Sequence, residues 1–419
     1  MKTTDMREGK TNDRTVLHVD CNSFFASVET AFRPELARVP MAVAGDVDAR
    51  HGIILAKNEL AKAKGVVTAE TVWSAKKKCP ELVLVPPRHE EYARYSHMVR
   101  KIFARYTDMI EPFGIDEAWL DVTGSYALFG DGYTIAERIR TDVKRELGIT
   151  VSVGVSFNKV FAKLGSDYKK PDAVTVIGKE DVAKIVHPLP VGTMLFVGKQ
   201  TASALFNMGI RTIGDLAAAS PAFLTAKFGK AGAMLSAYAR GEDDSPVANI
   251  MDKSDAKSVS NGMTFRHDLT EKAEIALGIR VLSEEVAYRL RKMDMKCTTV
   301  CVTVKDYLLK STSRQTRVAS PVNLAKEISD VAFSLACEIV RTGVPVRMIS
   351  VAATGLLHAD EAVSQMALFD DGEDAMRQKR EKLECAVDAL RDRFGVHVLQ
   401  SGGVIGNDMG IAEEAKEKS

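Results

Sequence analysis

No stretch of this chain approaches the roughly 18 consecutive apolar residues that a membrane span requires. The opening Met1-Lys2-Thr3-Thr4-Asp5 has no apolar run behind its charge, so a secretory leader is not expected either, and the cytoplasm is the expected compartment. Cysteine is sparse, at positions 21, 79, 297, 301, 337 and 385, without metal-ligand spacing. Cys297-x-x-x-Cys301 has no second pair or nearby His to complete a zinc site, so reduced, mostly buried thiols are expected. Net charge is also nearly absent, at +1, which argues against a nucleic-acid binder until the chain is divided. Residues 257–355 carry +5 and residues 359–419 carry −6, a basic module followed by an acidic tail.

What is present is a chain of 419 residues, 46% hydrophobic, long enough for two to four domains with their own cores. Its organising stretch is Phe113-Gly114-Ile115-Asp116-Glu117-Ala118-Trp119-Leu120-Asp121-Val122-Thr123, in which an acidic step lies between apolar runs. The pattern predicts two short strands joined by a tight turn that carries Asp116 and Glu117. Adjacent carboxylates repel, and either solvent exposure or a shared divalent cation relieves them. A solvated acidic hairpin tip is the plainer of the two readings. A second stretch, Thr15-Val16-Leu17-His18-Val19-Asp20-Cys21-Asn22-Ser23-Phe24-Phe25-Ala26-Ser27-Val28-Glu29, is a strand ending in an acid and turning at once into a helix. That arrangement sets a carboxylate beside free backbone N–H groups, a seat for a cation and a phosphate together.

Val19-Asp20-x-x-x-Phe24-Phe25-Ala26-x-Val28-Glu29 together with Ile115-Asp116-Glu117-Ala118-x-Leu120-Asp121 resembles the palm of the Y-family (translesion) DNA polymerases, in the family's order and with about its separation. The likeness runs over roughly residues 15 to 370. It implies an α+β multidomain right-hand polymerase with a ferredoxin-like palm, small inserted fingers, a helical helix-hairpin-helix thumb and a βαββαβ little finger. The implied activity is template-directed addition of dNTPs to a primer 3′ end by two-metal phosphoryl transfer, with low-fidelity synthesis across damage. Asp20, Asp116 and Glu117 would hold two Mg²⁺ ions, with the Cys21 backbone carbonyl as a further ligand and Asp121 behind them. Ser23, Phe24, Phe25, Lys62 and Lys170 would bind the nucleotide, Phe25 as the steric gate against a ribose 2′-hydroxyl. Without the resemblance, Phe25 reads as ordinary helix–sheet core, like its neighbour Phe24.

In chain order, residues 1–14 are expected to fray, the palm to cover 15–180, and the fingers to be inserted at about 33–88. Ile53-Ile54-Leu55-Ala56 reads as a strand and Asn58 to Gly65 as a helix stopped by Gly. In the family a Tyr and an Arg from this helix grip the triphosphate, but here Glu59 and Lys62 stand there. Lys62 keeps a point charge without the bidentate fork, and Lys57, Lys62 and Lys64 also read as a solvated helix face. Tyr92, Tyr95, Val99, Ile102 and Tyr106 form a helical stripe, read as core rather than as a base-stacking platform. Helices are predicted near 133–147 and 158–164, flanking a buried strand at 150–156.

Residues 181–245 shift to short helices, a thumb in which Gly198 and Lys199 open a helix toward a DNA phosphate; an ordinary αα-hairpin is the alternative. After a linker at 246–256, residues 257–356 read strand, helix, two strands, helix, strand, with Arg314 and Arg317 offered to DNA or simply lying on an exposed charged strand. The tail, 357–419, holds Gln365-Met366-Ala367-Leu368-Phe369, of the form of bacterial sliding-clamp ligands, with Gln365 as polar latch and Leu368 and Phe369 as apolar anchors. A helix is predicted from about 374 to 394 and disorder over 400–419. The expected partners are primer–template DNA, dNTPs and the clamp, for a monomer with no membrane association. A nucleotide cyclase would share a two-metal palm but needs no thumb, basic module or clamp peptide. A DNA-binding scaffold that has lost catalysis stays open through the Glu59 departure.

Overall fold

The computed structural model describes residues 14–46, 50, 52–252, 255–361, 373–395, 398–399, 402–404 and 408–411. The chain divides into two compact units, one of residues 1–45 and 53–253, the other of 46–52 and 254–419.

The first unit begins with β1 (Val16–Cys21), α1 (Phe24–Phe32), β2 (Met41–Ala44), β3 (Ile54–Lys57), α2 (Glu59–Ala63), α3 (Val72–Lys78), β4 (Val83–Val85) and α4 (His89–Phe103). It continues through β5 (Ile110–Pro112), β6 (Glu117–Asp121), α5 (Tyr126–Phe129), α6 (Gly132–Leu147), β7 (Val151–Ser156), α7 (Lys159–Tyr168) and β8 (Val174–Ile177). Five of these strands form one sheet in the order β5-β6-β1-β7-β8, antiparallel except for the β7–β8 pair. That parallel edge strand goes beyond the pattern read from sequence. Strand alternation explains the layering. Leu17 and Val19 enter a core with Val28, Tyr92, Ile102 and Ile139, from α1, α4 and α6. His18 points the other way, to α7, where its Nδ1 meets Ser166 Oγ. Gly154, opposite His18 across the sheet, is what lets α7 lie so close: a Cβ there would fall 1.9 Å from the Ala162 carbonyl oxygen. Tyr92 is fully buried and Tyr106 nearly so, as the core reading of their stripe expected.

The inserted segment forms a three-stranded sheet, β3-β2-β4, over its own small core of Ile54, Ala61, Val66, Val72 and Leu82. Asn58 caps α2 by accepting from Ala61 N at 3.0 Å, and Thr71 caps α3, a helix the sequence reading passed over. Four helices follow: α8 (Lys199–Asn207), α9 (Ile213–Ala218), α10 (Pro221–Phe228) and α11 (Lys230–Ala239). They share a core built on Leu205, Ile213, Leu216, Leu224 and Leu235.

The second unit contains β9 (Ser258–Leu269), α12 (Lys272–Lys292), β10 (Met295–Asp306), β11 (Ser311–Val322), α13 (Ala325–Ile339), β12 (Val346–His358) and α14 (Glu373–Phe394). Its antiparallel sheet runs β11-β10-β12-β9, with α12 and α13 packed on one face through Val300, Val302, Ile279, Leu282, Ile328 and Leu335. Helix α14 is tied to α12 by Arg291, whose Nε lies 2.6 Å from Asp388 and which also pairs with Glu384. The expectation of disorder across 400–419 needs correction at the described residues 402–404 and 408–411. Met409 is 2% exposed in the core, and its carbonyl accepts from Arg266 N at 3.2 Å. Ile411 packs against the same core, so two apolar side chains hold this segment.

Candidate active site

Asp20 and Glu117 are register partners across β1 and β6, so the two acids the sequence separates by nearly a hundred residues sit side by side. Asp116, in the loop just before β6, is fixed by its own carbonyl, which accepts from Cys21 N at 3.0 Å. The three carboxylates predicted as metal ligands are therefore brought together. The electrostatic cost of this is visible at Asp116: burial, reinforced by the charges of Asp20 and Glu117, pushes its carboxyl up to about 6. Such a set suits a divalent cation, which would remove the repulsion that now favours a proton.

Two lysines answer the same charge. Lys170 Nζ lies 2.8 Å from Asp20 Oδ2 and 2.6 Å from Asp167 Oδ1. Burial alone would lower its pKa, but these carboxylates outweigh it and raise it. Lys163, which the sequence reading passed over, reaches from α7 to Glu117 at 2.7 Å and Asp20 at 3.0 Å. Its signal was helical: Lys163, Ser166 and Asp167 follow the i, i+3, i+4 spacing of one face of α7, with Lys170 just beyond the end of that helix. His18 was missed as well. It precedes Asp20 by two residues on a strand, hence on the same face. It is fully buried, lies edge-on to Trp119 with centroids 5.3 Å apart, and has Nε2 3.3 Å from Glu117 Oε2. Burial lowers its pKa, helped by the Lys163 charge, against the pull of the carboxylates. Burial would raise Glu117, but His18 and Lys163 hold it below the ordinary glutamate range.

Other expectations fare differently. The Cys21 thiol is buried, and burial with the neighbouring Asp116 and Asp20 charges pushes it well up. Asp121 does not stand behind the ligands. It pairs with Val16 at the far end of β6, where its carboxylate accepts from Arg14, Thr123 N and Thr123 Oγ1. The Phe24 side chain is in the core at 3% exposed, whereas Phe25 is half-buried and stacks on Tyr92. Ser23 opens α1 with φ 48° and its Oγ lies 3.4 Å from Glu59 Oε1. Lys62 is exposed and pairs with Glu59 at 3.3 Å, not with the carboxylate cluster.

Gly198 caps α8, and Lys199 is exposed in its first turn. Arg314 and Arg317 are both exposed on β11, but an odd spacing on a strand sends them to opposite faces. Arg314 pairs with the buried Val302 and turns to the helix side, 2.5 Å from Glu338, while Arg317 pairs with Thr299 on the other face. Gln365, Leu368 and Phe369 lie outside the described residues.

Comparison with known proteins gives a consistent picture. Residues 19–167 match the model of the impB/mucB/samB family, 256–368 that of the impB/mucB/samB family C-terminal domain, and 196–243 the thumb domain of DNA polymerase-iota. The chain is 46% identical to DNA polymerase IV of Acetivibrio thermocellus over 95% of its own length and 99% of the relative's. It is 34% identical to DNA polymerase IV 1 of Bacillus subtilis, covering 97% and 95% of the two chains. A solved chimeric Y-family DNA polymerase superposes with a TM-score of 0.73 at 25% identity, over 82% of this chain and 99% of that one.

Proposed function

Since the chain belongs to the Y family of DNA polymerases, we propose that it extends primer 3′ ends with dNTPs on a DNA template, by two-metal phosphoryl transfer and with the low fidelity of translesion synthesis. The observation that carries this reading is the convergence of Asp20, Asp116 and Glu117 at one end of β1 and β6. Asp20, Asp116, Glu117 and the Cys21 carbonyl would hold two Mg²⁺ ions. Such ions lower the pKa of a primer 3′-hydroxyl and neutralise the triphosphate and the leaving pyrophosphate.

The remaining work falls to the protein's own groups. Lys170, on the face of the cluster shared with Asp20, supplies a positive charge for the triphosphate when it exchanges a carboxylate partner for a phosphate oxygen. Phe25, the second residue of α1, would stand against the sugar and exclude a 2′-hydroxyl. Ser23 sets the start of α1, where backbone N–H groups face an anion. Lys62 adds charge from the inserted segment and is partly neutralised by Glu59. Gly198, Lys199 and Arg317 are assigned to phosphate contacts that position the duplex without reading its sequence.

The proposed boundaries are palm 15–180 with fingers at about 33–88, thumb 181–245, linker 246–256, little finger 257–356 and tail 357–419. The tail would engage a bacterial sliding clamp through residues 365–369, and the enzyme would act as a cytoplasmic monomer. Among the described residues no helix is long and apolar enough to cross a membrane. Primer extension with Mg²⁺ on undamaged template tests the activity, with a cyclase or a scaffold without catalysis expected to leave the primer unextended.

A further inference from the structure

The turn that leads into α8 closes on a hydrogen bond from Val197 N to the Met194 carbonyl at 3.0 Å. Met194 and Val197 are both buried in the core of the four helices, so the two ends of the turn are fixed. Between them Phe196 has φ 66°, in the left-handed region that glycine adopts freely and in which a bulky side chain crowds its own backbone. Burial does not offset that strain. The ring is 55% exposed, and Tyr238 meets it only as a tilted partner, with centroids 6.3 Å apart and planes at 34°. A strained residue whose side chain projects into solvent points to something outside the fold that the side chain serves.

We infer that Phe196 packs its exposed ring face against a deoxyribose of the primer–template, beside the phosphate assigned to Gly198 and Lys199. Gly198, Lys199 and Gln200 follow it as an exposed run at the start of α8. A Cβ on Gly198 would meet nothing within 4 Å, so the approach to this helix start is open. Two residues span at most about 7 Å, which keeps a ring at 196 close to the sugar next to a phosphate held at 198. The sugar is the apolar part of the duplex backbone and is the same in every nucleotide, so a phenyl ring on it adds affinity without reading sequence. That affinity differs in kind from the contact of Lys199. A phosphate contact weakens as salt displaces it, whereas burial of an apolar ring does not. Phe196 therefore gives the thumb a hold on DNA that persists as ionic strength rises.

This inference rests on the duplex contact assigned to the thumb, and one set of titrations separates the two. Full-length wild type, Phe196→Gly, Phe196→Ala, Phe196→Tyr and Lys199→Ala are each titrated onto a fluorescein-labelled primer–template over a range of salt concentrations, and each is melted without DNA. Phe196→Gly and Phe196→Ala should bind about tenfold more weakly at every salt concentration, with the wild-type slope of log affinity against log salt, and Phe196→Tyr should bind like wild type. Phe196→Gly should melt higher than Phe196→Ala, because only glycine relaxes the turn. Lys199→Ala should reduce the slope by about 1. Wild-type affinity in Phe196→Gly makes the ring a packing residue against Tyr238 and overturns the inference. A reduced slope in that variant also overturns it, since the phosphate contacts would then have moved, as does an alanine variant no less stable than the glycine one. A Lys199→Ala slope equal to wild type, with Phe196→Gly still weak, removes Lys199 from the phosphate and leaves the ring contact standing. Wild type without affinity for the primer–template overturns both.

Discussion

Phe25 lies almost flat against Tyr92, ring centroids 4.1 Å apart and planes 12° from parallel. His89 packs edge-on to both rings, so Phe25 is braced from behind while its other side stays accessible. Such bracing is what a rigid steric block needs, and stacking of this kind contributes only about 0.5–1.5 kcal/mol beyond burial. Phe25→Val is therefore expected to fold and to accept ribonucleotides. The measurement is the ratio of kcat/KM for dNTP over rNTP, which should fall by at least about tenfold, a loss of roughly 1.4 kcal/mol of discrimination. A ratio equal to wild type would make Phe25 a packing residue.

The Glu29 side chain, on α1, is 0% exposed. It accepts from Arg88 at 3.0 and 2.7 Å, from Arg33 at 2.9 Å and from Tyr92 Oη at 2.8 Å. Burial alone would raise its pKa, but these donors outweigh it and hold the carboxyl below the ordinary glutamate value. A depressed carboxylate contributes stability above its unfolded pKa and loses it as pH falls through the folded value. Glu29→Ala strands a charged cluster and should cost about 3–5 kcal/mol near pH 7. Urea midpoints of wild type and Glu29→Gln should differ most at neutral pH and converge on acidification from pH 5 downward. A gap that does not narrow would mean that the Glu29 charge is not what holds the cluster.

Much of the site was legible because Asp20, Asp116 and Glu117 each stand at the end of a β-patterned run, and a carboxylate at a strand end is a local signal. What was not legible depends on register. Nothing near Asp20 in sequence announces that Glu117 will be its partner across the strands, or that Lys163 will arrive between them from α7. His18 looks like any residue of an alternating strand until Gly154 is seen to bring α7 close enough for Ser166 to hold its ring. Parity separates two pairs of candidates that the sequence lists together. Phe24 and Phe25 are adjacent on a helix and cannot share a face, and Arg314 and Arg317 are three apart on a strand and point to opposite sides. The docking of Met409 and Ile411 on the core of the second unit rests on two side chains, too few for a pattern to reveal.

The acidic tail offers a test independent of the catalytic modules. If Leu368 and Phe369 fill apolar pockets on a sliding clamp, replacing both by Ala should abolish stimulation by the clamp and leave clamp-free synthesis as it was. Equal loss in both assays would place these residues in the folded body of the protein instead of in a docking peptide.

The most direct test of the two-metal reading is Asp116→Ala in single-nucleotide primer extension with Mg²⁺, alongside binding of the same primer–template. Removing Asp116 takes away one of three converging carboxylates but none of the proposed duplex contacts. Nucleotide addition should fall by about 10³-fold or more, a barrier increase of roughly 4 kcal/mol, with primer–template affinity close to wild type. An Asp116→Ala enzyme that still adds nucleotides at the wild-type rate would contradict the account.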